Sequence, residues 1–513
     1  MNQKIKQLII FPPIWLLLLL SGYLAIYSYV TWDYWIDDAY IGFRYIQNFL
    51  AGNGLTFNPF EKVEGITNIG WLLFLLPFSF FGELPVVTKV LTFFLVFFTC
   101  LLVYQSAYFF PRTHFDKIFL YPLPFFVITE FNFLYFSMAG METALFSACL
   151  CAIIYLSIIQ RFWFLKIFLF SFLFLIHPEG ILIFPLYFCL SFLFNVEEKR
   201  DLFIKLGCFS AFILLYTGIR YFLFSDFLPN TFYAKVPNDQ SIIQLILCFF
   251  LHFEINISWQ FQGIIALLFF GSGLMSLWQK SPRLCLEFFS IICTGIFFSI
   301  YAPDDWTEQA RYFAPYVPLA YVLFWNGALA YHHRMLKNLM STESLQKLFS
   351  IYIIIILMLQ LYHNLTVLSD DRRESYPGYV ITGTNLIPPA KWMKKNVPAD
   401  ATIATRRIGI LAYFSQKKVF DYVHGLIDRE IAQMVRARGK PFNNPKDLQL
   451  RKTWLQRSPD YFLEDLHFVI ENIVNKGKDK PHLLQIHGLK YYLKESFQIG
   501  KFGIQWALFE KKK

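Results

Sequence analysis

Long apolar runs separated by short polar connections fill the first two-thirds of the chain, and then they stop. The first run, Leu8–Val30, is long enough to cross a bilayer, which takes about 20 residues of helix. Later runs predict spans at Val86–Phe110 and Ile118–Tyr135, then helices returning to Gln160, out to His177 and back to Glu197. Leu202–Phe224 predicts another, and the stretch 241–278 has room for a surface helix plus one span. Further spans end at Pro303, run from Tyr312 to His332, and cover Leu348–Leu368, about eleven in all. The apolar piece Ile69–Phe81 is short and interrupted by Pro77, so it predicts a helix lying at the membrane surface. It belongs with other juxtamembrane helices in the first outer loop, residues 31–85.

Beyond Ser369 charged residues rise and short β-patterned stretches appear, Thr402–Thr405 and Lys418–Tyr422, with helical patterns at Pro388–Asn396 and Ile427–Arg438. The expected fold is therefore a polytopic α-helical membrane protein, residues 1–368, followed by a soluble α/β domain, residues 369–513.

Composition agrees: 56% of the 513 residues are hydrophobic, 16% are charged, and mean hydropathy is +0.44. The eight cysteines all lie in apolar segments, which excludes a disulfide framework and a zinc site as readings. The glycines are scattered and form no nucleotide-phosphate loop, and nothing points to nucleic acid. Charge sets the sides. Lys4 and Lys6 precede the first span and place the N-terminus inside; the basic connections at 111–117, 160–166, 197–200, 280–283 and 332–337 follow the same rule. The C-terminal domain then falls outside. It carries most of the net charge of +10 and suits anionic membrane lipids or an acidic saccharide.

With that sidedness, the polar connections carrying carboxylates and isolated cations all fall on the outer face. They hold Asp37, Asp38 and Arg44; Glu64, Thr67 and Asn68; Glu142; His177 and Glu179; Asn230, Tyr233 and Lys235; and Asp304 to Arg311. A carboxylate that takes a proton from a hydroxyl, beside cations that hold a departing phosphate, is the chemistry of glycosyl transfer from a polyprenyl-phosphate sugar. A nucleotide-sugar donor needs a cytosolic site. Two other readings share this face: a flippase or transporter of lipid-linked saccharides, and a ligase or polymerase of such glycans. A transporter places its charges near the midplane and shows repeated halves, and no repeat is visible.

The run Asp37-Asp38-Ala39-Tyr40-Ile41-Gly42-Phe43-Arg44-Tyr45, followed by Gly52–Pro59 and Glu61–Asn68, resembles the mycobacterial terminal β-(1→2)-arabinofuranosyltransferase family of the GT-C class. Gly140–Phe146, Leu228–Lys235, Arg311–Phe313 and the stretches Ile408–Phe414 and Asp421–Leu426 are similar too. So are relatives in Gram-negative envelopes that modify lipopolysaccharide. The resemblance implies an inverting transferase in the bacterial cytoplasmic membrane, with its site and C-terminal domain on the periplasmic side. Asp37 is then the expected base and Asp38 its neighbour. The donor phosphate is expected near Lys235 and Arg311, aided by Arg44 or His177. Glu64, Thr67, Asn68, Glu142, Glu179, Asn230 and Tyr233 are expected to bind substrate, and the C-terminal domain to hold an envelope glycan or glycolipid acceptor. No cofactor is required, although a divalent cation would find ligands in Asp37 and Asp38. One departure stands out: the family shows Arg-Pro-Glu/Asp-Gly where this chain has His177-Pro178-Glu179-Gly180.

Overall fold

A computed structural model describes residues 12–110, 117, 119–235, 264–301, 311–334, 342–368, 386–465, 469, 482–499 and 504–512. Lys4, Lys6, the loop 111–116, the surface helix expected before residue 264, Asp304 and Asp305, Lys337 and the boundary at Ser369 lie outside them. The chain divides into two units: residues 1–34, 73–215 and 239–380 form one, and residues 35–72, 216–238 and 381–513 form the other.

The first unit is helical. Among the described residues, Leu84–Ala107, Lys199–Phe224 (shared with the second unit) and Pro282–Ile300 are long and apolar enough to cross a membrane. Shorter apolar helices include Ile14–Val30, Thr143–Ile159, Trp163–Ile176 and Gly180–Leu193. Among the described residues three such spans meet that measure, against about eleven expected over the whole chain. The expected span Ile118–Tyr135 is a different object. It consists of two short helices, Leu123–Thr129 and Phe131–Met138. Between them Glu130 leaves helical geometry (ψ 119°), and its carboxylate accepts the Phe133 N–H at 2.6 Å. A buried N-terminal cap has restarted the helix inside an apolar run.

Lys89 shows what a charge inside the Leu84–Ala107 helix is for. Its ammonium donates to the carbonyls of Thr31 (3.0 Å), Tyr34 (2.8 Å) and Met138 (2.6 Å). The Met138 carbonyl ends the Phe131–Met138 helix, and the Thr31 and Tyr34 carbonyls lie in the turn after Ile14–Val30, where Thr31 also accepts the Tyr34 N–H at 3.0 Å. Lys89→Met keeps the length of the side chain and takes the ammonium away from the three carbonyls, of which Thr31 retains the Tyr34 N–H. We expect a loss of about 3 kcal/mol, since each buried unsatisfied group costs roughly 1–3 kcal/mol; thermal unfolding in detergent reads it, and an unchanged Tm would refute this role.

The second unit is built on a six-stranded sheet in the order β2-β1-β3-β6-β5-β4. The strands are β1 Thr402–Thr405, β2 Lys418–Asp421, β3 Tyr461–Asp465, β4 Leu483–Ile486, β5 Leu489–Ile499 and β6 Ile504–Lys511. β1 pairs in parallel with β2 and with β3, while β3, β6, β5 and β4 run antiparallel. The core packs Phe420, Tyr422, Trp454, Phe462 and Phe509 against Ile431 and Val435. From β1 the chain passes through the helix Gly409–Ser415 to β2, then through Arg429–Arg438 and Arg451–Arg457 to β3 on the other side of β1. The strand order thus reverses at β1, and in such sheets functional groups gather at the carboxyl end of that strand. Glu464, fully buried on β3, is held there by Arg406 (3.0 Å) and the Tyr422 hydroxyl (2.7 Å).

The first-loop helix Asp37–Leu50 belongs to this unit, with Asp37, Tyr40, Phe43, Arg44 and Tyr45 all buried. A further tie is Asn58, whose side-chain amide accepts from Val419 N (3.0 Å) and donates to Val419 O (2.8 Å). That amide imitates a neighbouring strand and covers the edge presented by β2.

Candidate active site

Asp37 opens its helix with its carboxylate aimed at the turn after β1. One oxygen accepts the Gly409 N–H at 3.0 Å and the other the Ile410 N–H at 2.8 Å. These are N–H groups at the start of a helix, which have no partner within it. Burial pushes the Asp37 carboxyl above its ordinary value; the two N–H bonds and Arg407 pull the other way without cancelling it, and Asp38 adds to the rise. The result is a fixed carboxylate with a lifted proton affinity, one lone pair on each oxygen still unclaimed by those N–H groups. Asp38 beside it is half-buried. The approach at Gly409 is very close: a Cβ there would lie 2.0 Å from the Asp37 carbonyl oxygen, so only glycine fits.

Other expected site residues in this unit are tied into its framework. Arg44 donates to the Phe57 carbonyl (3.3 Å) and to Gln47 (2.6 Å), and Asn48 donates to Thr56 and Phe57 carbonyls, so together they pin the loop 51–58 to the helix. Glu64 is buried against Arg220, Nε to Oε2 at 2.9 Å, and the Tyr216 hydroxyl accepts from the same guanidinium at 2.8 Å. The Glu64 carbonyl accepts from Asn230 N (2.9 Å), and the Asn230 amide donates to the carbonyls of Gly425 and Leu426. Asp421 holds that last turn from below, accepting from Val423, His424 and Leu426. The segments 64–68, 220–230 and 421–426 therefore form one joint within the unit. Asn68 starts the Ile69–Leu75 helix with its carbonyl, Thr67 is half-exposed, Tyr233 donates to Asp226 at 3.3 Å, and Lys235 is exposed.

Burial pushes the Glu64 carboxyl up to about 7, with Arg220 opposing. A carboxyl raised on folding binds its proton more tightly in the native state. Its stabilisation is complete below the ordinary value of 4.5 and is lost as pH rises towards 7. Stability measured against pH should accordingly fall across that window, and Glu64→Gln should flatten the slope. A wild-type profile that rises between those pH values relative to the variant would show the ion pair to dominate instead.

In the helical unit the structure brings four expected residues to one pocket: Glu142, His177, Glu179 and Arg311, with Tyr312 and Phe146. His177 ends the Trp163–Ile176 helix and lies between two carboxylates. Its Nδ1 bonds Glu179, and its Nε2 is 3.9 Å from Glu142. Rings of Phe298 (5.5 Å) and Tyr312 (6.1 Å) enclose it. The hairpin that presents it requires Gly180, where a Cβ would come within 2.4 Å of Leu173 backbone. The motif His-Pro-Glu-Gly thus divides into two side chains for the pocket and a glycine for helix contact.

Sequence reasoning missed Arg220, Arg407 and the Gly409–Ile410 amides. Arg220 had a signal, a lone charge in an apolar helix. The amides had none, because backbone donors do not show in side-chain patterns. Among the described residues no cluster of three or more His, Cys, Asp or Glu side chains is set to hold a metal ion. Asp37 itself is a poor cation ligand, since its oxygens meet N–H donors and lie near a guanidinium.

A family model described as a domain of unknown function, DUF8728, matches residues 381–508. No curated protein sequence matches the chain. Solved structures do. ArnT from Cupriavidus metallidurans, bound to undecaprenyl phosphate, is similar with a TM-score of 0.52 at 9% identity, over 96% of this chain and 97% of that one. The Archaeoglobus fulgidus oligosaccharyltransferase is similar with a TM-score of 0.50 at 10% identity, over 89% and 70%. The arabinofuranosyltransferase AftD from Mycobacteria gives 0.50 at 10% identity, over 98% of this chain and 40% of AftD. The chain has the fold of the GT-C membrane glycosyltransferases, a polytopic helical part combined with a C-terminal sheet.

Proposed function

We propose that this protein is an inverting glycosyltransferase that moves a sugar from a polyprenyl-phosphate donor to an envelope glycan or glycolipid on the outer face of the bacterial cytoplasmic membrane. The observation that carries the reading is Asp37: a buried carboxylate of raised proton affinity, fixed by two backbone N–H groups at the mouth of the first loop, in a chain of GT-C fold. Asp37 removes the proton from the acceptor hydroxyl as its oxygen attacks C1 of the donor sugar. The C1–O bond to phosphate breaks, the phosphate leaves with the electron pair, and the anomeric configuration inverts in that single displacement. A fixed base helps because its orientation has been settled by folding rather than by the reaction.

Arg311 and Lys235 are the cations assigned to the phosphate, and no metal need enter the step. His177, held between Glu142 and Glu179, is the group where the resembled family has arginine. Arg44 and Glu64 act as positioning residues that shape the loop. Residues 369–513 are assigned to the acceptor, with Asp38 half-buried beside the base to meet it. A polyprenyl-phosphate donor is supported by the bound undecaprenyl phosphate of the ArnT structure.

The test uses the full chain in sealed vesicles with a polyprenyl-phosphate sugar labelled in the sugar. Label that becomes covalently attached to an acceptor glycolipid supports transfer. Intact lipid-linked label that changes leaflet without any new glycosidic bond refutes it and makes the protein a flippase.

A further inference from the structure

The helices that carry Glu142 and His177 at one end form a second cavity at their other end. It has a volume of about 290 Å³ and is lined by Arg161, Lys166, Lys205 and Arg283, with Asp201 at its rim. The Trp163–Ile176 helix links the two places: Lys166 and His177 are about 16 Å apart along it, at 1.5 Å per residue. The cavity plays no part in the chemistry above.

Its charges are arranged in two layers. Four cations and one carboxylate face the cavity. Two further carboxylates stand behind the cations and hold them. Glu287, fully buried, is 2.6 Å from Lys166 and 3.6 Å from Arg283. Glu197 is 2.6 Å from Arg283, pairs with Lys205, and accepts from the Tyr187 hydroxyl. Placing Lys166 and Glu287 in an apolar helix bundle costs several kcal/mol of desolvation per ion, and a pair of apolar residues would hold the helices together at least as well. Cations held by carboxylates at the wall of a cavity are what a multivalent oxyanion requires. The exposed indole of Trp163 and the exposed Ile204 complete the lining with apolar surface, which an inorganic ion has no use for but an acyl chain has.

We propose that this cavity binds a phosphate group, with the headgroup of an anionic phospholipid as its source in the membrane. The assignment is independent of glycosyl transfer, since it rests on none of the residues used there.

The test uses the full-length chain, stripped of lipid in neutral detergent and followed by thermal unfolding. Phosphatidylglycerol, phosphatidylcholine and inorganic phosphate are added separately. Two variants accompany the parent: Arg161→Gln with Lys205→Gln, which removes lining charge, and Ile204→Trp, which keeps every charge and fills the volume. A rise in Tm of about 2–5 °C with phosphatidylglycerol, larger than with phosphatidylcholine and lost in both variants, supports the lipid headgroup. The same rise with inorganic phosphate alone, again lost in both variants, supports the phosphate site and assigns it to a soluble ligand. No rise with either, or a rise that survives in either variant, overturns the proposal.

Discussion

Asp37→Asn should lower the rate of transfer by about 10²–10⁴, the usual contribution of a positioned general base, with little change in donor KM. The change is small in volume and large in chemistry. An asparagine offers one oxygen to the two N–H donors of Gly409 and Ile410, and its own NH₂ must face the second of them. The variant therefore loses the base and also loosens the turn, so unfolding is followed beside turnover. A fall in kcat far beyond any fall in Tm assigns the loss to chemistry. Asp38→Asn, half-buried and without those bonds, should stay within about tenfold of the parent on the same assay. The reverse outcome, an active Asp37→Asn and a dead Asp38→Asn, would move the base one residue along. The pH profile gives a second handle. Because burial raises the Asp37 carboxyl, the parent's rate should begin to fall on acidification at a higher pH than a solvated aspartate would allow.

How much of this was legible beforehand depends on how locally each feature is encoded. The apolar runs declared a membrane protein because a bilayer filters composition over some 20 residues at a time. β1 and β2 were visible as short β-rich stretches flanked by helical patterns, and the helices Ile387–Asn396 and Arg429–Arg438 appear where periodicity placed them. β3 to β6 were not, although β5 runs for 11 residues, because lysines and a glutamate on its face mask the alternation and a bulge falls between Leu493 and Glu495. Glu130 was read as part of a span because one carboxylate barely changes a window of hydropathy, yet it decides the backbone locally. Glu142, His177, Glu179 and Arg311, far apart in sequence, line one pocket. Asp37 was singled out by its neighbours in sequence, whereas its anchor lies 372 positions away and involves only main-chain atoms. No reading of side-chain types could have produced it.

That anchor makes Gly409→Ala the most informative single methyl in the protein. In an ordinary helix, replacing glycine by alanine stabilises by about 0.5–1 kcal/mol through chain entropy and propensity. At residue 409 the new Cβ would sit 2.0 Å from the Asp37 carbonyl oxygen and 3.2 Å from its carboxylate. Backbone cannot yield as a flexible side chain can, so the turn after β1 and the start of the Asp37–Leu50 helix must separate. Overpacking of this kind costs about 1–3 kcal/mol, and the separation displaces the carboxylate from its two N–H donors. A base misplaced by about 1 Å loses on the order of 100-fold in rate, so Gly409→Ala should approach Asp37→Asn in turnover although it touches no ionisable group. Gly207 supplies the control: it lies within the Lys199–Phe224 helix, where an added Cβ would meet nothing within 4 Å, so Gly207→Ala should leave turnover unchanged. If the two alanine variants behave alike in both transfer rate and Tm, the contact between Gly409 and Asp37 does not position the base. If Gly409→Ala alone fails, the turn after β1 and the first-loop aspartate act as one device, the start of the Gly409–Ser415 helix supplying the two N–H groups that hold the aspartate for the reaction.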